Sequence, residues 1–138
     1  MRLMYVISQF SLGGAENHVA DLVADQVRRG NDVMVLGLRE GQNDPSGYRT
    51  LLEEHGATTE VPQSPWQGKR CPPGLLWWMD RRIRGFGPDL IHTHLPVADI
   101  AVAAWRRLCR APLPVVSTVH GWEPRYSDTV NRWLLRQT

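Results

Sequence analysis

The sequence predicts an α/β fold: a parallel sheet of about five strands with helices on both faces, forming three layers. Two observations predict it. Short apolar runs alternate with segments of helical period, and each strand-like run is followed by a helix-like one. The chain is also long enough, at 138 residues with 42% hydrophobic, to fold as one domain around a sizeable core.

The elements follow in order. Residues 3–7 are a strand-like apolar run, and the loop 8–14 after it ends on Gly13-Gly14. From Ala15 the period changes, with Val19, Leu22, Val23 and Val27 on one helical stripe. Acids come early in that helix, Arg28 and Arg29 come late, and Gly30 stands where a closing glycine belongs. Residues 32–38 read as a buried strand, 48–55 as a helix stopped by Gly56, and 57–61 as a weak third strand. An irregular surface loop, 62–73, precedes a helix over 74–84 that ends at Gly85-Phe86-Gly87-Pro88. Strand four is 90–94, helix four 99–109, strand five 115–119, and a last helix covers 126–136.

Composition excludes several classes. A net charge of +2 with evenly spread charges gives no polyanion-binding tail, so no nucleic-acid partner is expected. No run approaches the roughly 18 apolar residues of a membrane span, and the N-terminal apolar run is too short for a secretory signal. Cys71 and Cys109 have neither metal-type spacing nor the number for a disulfide framework. A soluble cytoplasmic domain is the expectation. The G-x-G-x-x-G and G-x-x-x-x-G-K fingerprints and the G-x-S-x-G elbow are missing. Ser8 and Gln9 stand where a phosphoacceptor receiver domain carries paired acids.

In a parallel sheet, ligands bind beyond the carboxyl ends of the strands. Gly13-Gly14 lies there, where two glycines permit positive φ and a close approach of ligand to backbone. The helix behind them offers unpaired N–H groups suited to a phosphate, although a plain turn has the same sequence. His92 and His94 share one face of strand four, and His120 closes strand five. Three readings of them stand open: strand-end packing, a metal site completed by Asp99 or Glu123, and a polar ligand site. Residues 66–86 carry Lys69, Arg70, Arg81, Arg82 and Arg84 against Asp80, a net +4, leaving −2 elsewhere. On the helix in that segment, Leu75, Leu76, Met79 and Ile83 form the core stripe, with Trp77, Arg81 and Arg84 opposite. Such a face suits an anionic acceptor or lipid headgroups, and equally a solvated surface with Trp under Arg.

Three motifs in register carry a family resemblance: Gly13-Gly14-Ala15-Glu16-Asn17-His18-Val19, Pro88-Asp89-Leu90-Ile91-His92-Thr93-His94, and Val115-Val116-Ser117-Thr118-Val119-His120-Gly121. Over essentially its whole length the chain resembles the N-terminal, acceptor-side domain of family 4 (group 1) retaining glycosyltransferases of GT-B fold. The resemblance implies a Rossmann-like domain facing a second one across a cleft. It implies transfer of a sugar from a nucleotide-sugar donor to a glycan or lipid-linked acceptor, with no cofactor and no metal. By the same analogy Gly13 and Gly14 approach the donor diphosphate, and His120 is the catalytic histidine bordering the transferred sugar. His94 lines the cleft floor, with His92, Asn17 and Glu123 on the acceptor side. Trp77, Arg81 and Arg84 would form a membrane face, placing the protein at the inner side of the cytoplasmic membrane. The donor-binding domain, with its Glu-x7-Glu motif, is not in these residues, so the fragment is expected to be inactive alone. The alternative reading is a non-catalytic Rossmann-like module binding a phosphate or sugar.

Overall fold

A computed structural model describes residues 1–11, 13–39, 47–63 and 71–120. Among these described residues nine elements follow one another: β1 (Arg2–Gln9), α1 (Gly14–Arg28), β2 (Asp32–Arg39), α2 (Tyr48–Glu54), β3 (Thr58–Glu60), α3 (Pro73–Phe86), β4 (Leu90–His94), α4 (Pro96–Cys109) and β5 (Val115–Thr118). The strands form one parallel sheet in the order β3-β2-β1-β4-β5. This is the fold class the sequence predicts, with a Rossmann-like strand order.

Period-two alternation divides the core in two. Met4, Val6, Leu36, Leu38 and Ile91 face α3 and α4, where Leu75, Met79, Ile83, Ala101, Val102 and Trp105 cover them. Leu3, Tyr5, Ile7, Val33 and Val35 face α1 and α2, under Val19, Val23, Tyr48 and Leu52. Both faces of β1 are buried, which is why Leu3 to Ile7 is a continuous apolar run rather than an alternating one.

Differences from the sequence expectations are at element ends. Helix α4 begins at Pro96, three residues earlier than read, because Pro at the first helical position needs no N–H partner there. Its N-cap, Leu95, takes φ +74°, a rare conformation for a branched side chain, directly after His94. The third strand shrinks to Thr58–Glu60 at the sheet edge. Gly87 closes α3 with φ +62°, the left-handed turn the sequence places there. The last helix expected over 126–136 lies outside the described residues.

Candidate functional site

The chain leaves β1 through α1 toward one face and leaves β4 through α4 toward the other. Neighbouring strands with connections diverging to opposite faces open a crevice beyond their carboxyl ends. The candidate site lies there, at the ends of β1, β4 and β5.

Gly13 is the N-cap of α1 and has extended backbone, φ −157°. Positive φ is therefore not the reason for this glycine, contrary to the sequence expectation, and Gly14 is helical without it. A Cβ on Gly13 would run into the carboxylate of Glu16, which is buried at the third position of the helix. That position is the one from which a glutamate folds back over the N-cap. At Gly14 a Cβ would meet nothing within 4 Å, so the backbone is open to an approaching molecule. No side chain caps the helix, and its first bond is Asn17 N to Gly13 O at 2.9 Å. The preceding N–H groups have no carbonyl of their own helix to reach, the partial positive charge of a helix start. Tyr48 donates its phenol to the Glu16 carbonyl at 2.6 Å, fixing this first turn against α2.

The histidines gather as the motifs suggest, and more tightly. His92 and His94 lie 4.3 Å apart, ring to ring, on the α1 face of β4, with the Tyr5 ring tilted against His92 at 5.2 Å and stacked on His94 at 5.9 Å. In the parallel register His94 pairs with Thr118, so His120 arrives just beyond it. His94 Nδ1 stands 3.0 Å from His120 Nε2. His92 Nε2 is 2.8 Å from Thr118 Oγ1. His94 is 1% exposed, and burial, assisted by the neighbouring imidazoles, pushes its pKa down to about 3. His92 is lowered by the same cause. At neutral pH both rings are uncharged.

Sequence reasoning missed His18 as a member of this cluster. Its ring meets those of His94 and His120 edge-on, at 6.1 and 5.7 Å. The signal was available: His18 follows Gly14 by four residues, one helical turn. Asn17 is exposed on the same first turn. Glu123 lies outside the described residues.

The metal reading with Asp99 is overturned. Asp99 sits on the opposite face of the sheet, where its carboxylate takes the Thr93 hydroxyl at 2.5 Å and the Ser117 hydroxyl at 2.8 Å. Burial raises its pKa, and the two hydroxyl bonds oppose that rise. Among the described residues no three His, Cys, Asp or Glu are placed to share an ion.

On α3, Trp77 is 63% exposed and Arg81 lies over its ring at 5.1 Å. Arg84 is bound to Asp80 at 2.8 Å and Arg82 to Glu60 at 3.2 Å, so part of the basic charge on this helix is locally paired. Lys69 and Arg70 lie outside the described residues. No helix among the described residues is long and apolar enough to cross a membrane.

Comparison with solved structures finds several glycosyltransferases. Anabaena HepE, in a complex with UDP-glucose, superimposes with TM-score 0.69 at 22% identity, covering 99% of this chain and 34% of that one. A Rickettsia africae glycosyltransferase gives TM-score 0.67 at 9% identity, over 95% of this chain and 32% of its own. Acinetobacter baumannii MurG gives 0.63 at 16%, over 98% and 38%. The chain thus spans about a third of the length of these proteins, and the likeness establishes the fold, that of the Rossmann-like N-terminal half of a GT-B architecture. Among curated proteins no match is found. Residues 12–138 match the model of Glycosyltransferase Family 4, and the chain belongs to that family.

Proposed function

We propose that this chain forms the acceptor-side half of a retaining glycosyltransferase, which moves a sugar from a nucleotide-sugar donor to a glycan or lipid-linked acceptor. The observation that carries the reading is the meeting, at one crevice, of an open helix start at Gly14 with the His94–His120 pair. The α1 N–H groups would receive a diphosphate oxygen, and His120 would border the transferred sugar. His94, His92, Asn17 and Glu123 would lie on the acceptor side. HepE, of the same fold, is seen with UDP-glucose, which supports a sugar-nucleotide donor. No cofactor or metal is needed in this scheme, since helix N-termini and basic groups stabilise a leaving diphosphate.

A donor-binding domain completes the cleft, so the 138-residue chain alone should neither hold UDP-glucose tightly nor turn it over. The test is an amide-shift titration of the isotope-labelled chain with UDP-glucose, with a parallel assay for released UDP. Weak shifts centred on Gly13, Gly14 and His120 without turnover support the reading. Turnover by the chain alone, or shifts that avoid these residues, would refute it. The exposed Trp77–Arg81 face of α3 would rest against anionic lipid at the inner side of the cytoplasmic membrane, bringing a lipid-linked acceptor to the cleft.

A further inference from the structure

Glu16 is 8% exposed, and no other carboxylate among the described residues is buried so deeply. Its tip folds back against the α-carbon of Gly13, in the space that a Cβ on the N-cap would need. Among the described residues no hydrogen bond or ion pair reaches that carboxylate. Tyr48 packs beside it, but a phenol has one proton to give, and this one goes to the Glu16 carbonyl at 2.6 Å. Burial first, and the Glu16 charge second, raise the pKa of that phenol and keep it protonated. A buried charge with no donor of its own is costly, and a fold that retains one holds it for something outside the chain.

The surroundings narrow what that something is. A cation is a poor fit, because the carboxylate lies at the positive end of α1. Nor are three His, Cys, Asp or Glu among the described residues placed to share an ion. An anion in contact with the carboxylate is repelled by it. What remains is an uncharged O–H donor, and two carboxylate oxygens suit a pair of neighbouring hydroxyls. Neither Gly13 nor Gly14 has a side chain to stand between the carboxylate and the crevice.

We propose that Glu16 is a ligand-binding residue that receives neighbouring hydroxyls of an uncharged sugar, the acceptor of the proposed reaction. The first turn of α1 then serves two parts of the chemistry. Its N–H groups take the donor's phosphates, and its carboxylate takes the hydroxyls of the other substrate. The choice of a sugar rests on the proposed function; the need for a neutral O–H donor rests on the carboxylate alone.

The test is a carboxyl-carbon NMR titration of the labelled full chain with methyl glucoside up to its solubility, with the Glu16 signal assigned from Glu16→Gln. The expected result is a saturable shift of the Glu16 carboxyl carbon and of the Gly13 amide. Glu16→Gln keeps the size of the side chain, so its denaturation midpoint should be unchanged or raised. Its affinity for methyl glucoside should fall roughly tenfold, the difference between a charged and a neutral acceptor. A Glu16 carboxyl signal that methyl glucoside leaves unmoved would overturn the proposal, whether or not the variant folds. So would a lower midpoint with sugar binding intact, which would make Glu16 a helix cap. Methyl glucoside at Glu16 with UDP-glucose avoiding Gly14 and His120 would keep this site and remove the glycosyltransferase reading. The reverse pattern would keep that reading and remove this site.

Discussion

Two glycines show how differently the same residue serves. A Cβ on Gly14 enters open space, so Gly14→Val should leave thermal stability within about 1 kcal/mol of the parent, as surface changes do. In the complete enzyme the same change should lower kcat/KM by obstructing the donor; unchanged transfer would make the loop purely structural. Gly37 on β2 lies under the Phe10 ring, whose atoms stand 2.7 and 2.8 Å from where a Cβ would be. Phe10 is 3% exposed and has no room to withdraw. Gly37→Ala should therefore cost roughly 1–3 kcal/mol, read as a lower denaturation midpoint. A smaller loss would mean the ring can tilt.

At the element scale, α3 and α4 support different predictions. The outer face of α3 offers Trp77 with Arg81 above it, while Arg84 is held by Asp80. Sedimentation with anionic vesicles should show binding that weakens with salt and weakens further in Trp77→Ala or Arg81→Glu/Arg84→Glu. Basic residues near such a surface contribute about 1 kcal/mol each. Equal binding to neutral and anionic vesicles would leave Trp77 as surface packing. Helix α4 is tied to the sheet by Asp99, whose carboxylate receives hydroxyls from both β4 and β5. Asp99→Ala leaves Thr93, fully buried, with only the Val116 carbonyl at 3.2 Å among the described residues. The expected loss is about 1–3 kcal/mol in chemical denaturation, with Asp99→Asn milder because its amide oxygen still accepts.

For the molecule as a whole, buried His94 and half-buried His92 set an acid limit on stability. His94 in the folded chain has a pKa near 3, against the usual 6.5 unfolded, and His92 is shifted in the same direction. Between those values the unfolded chain binds protons that the folded one refuses. Stability therefore falls as pH drops through about 6.5 and continues falling toward 3, by up to about 1.4 kcal/mol per pH unit for one proton. Asp99 works the other way: its pKa is raised on folding, so its desolvation costs stability at neutral pH and is relieved on acidification. With two histidines against one carboxylate, the melting temperature should decline from pH 7 to pH 5, and His94→Asn should flatten the slope. A melting temperature that rises over that interval would put Asp99 in control.

The order of strands and helices, the core stripes, and the shared face of His92 and His94 were all legible along the chain. These follow from period and from turn residues, which are local properties. Gly87 marks an element end for the same reason, since φ limits belong to single residues, and Pro96 carried a signal of the same kind that was read three residues late. That His94 is buried and His120 exposed emerged from the packing of the folded chain, though both lie at strand ends and in H-containing motifs. The parallel register of β4 with β5 makes them partners across 26 positions of chain, and the first turn of α1 brings His18 against both. The same packing also put Asp99 on the far side of the sheet, away from the histidines it was read beside. Burial and hydrogen-bond partnership depend on which elements pack together. Proximity along the chain does not encode that, so the chemistry of the histidines became readable only once the sheet was assembled.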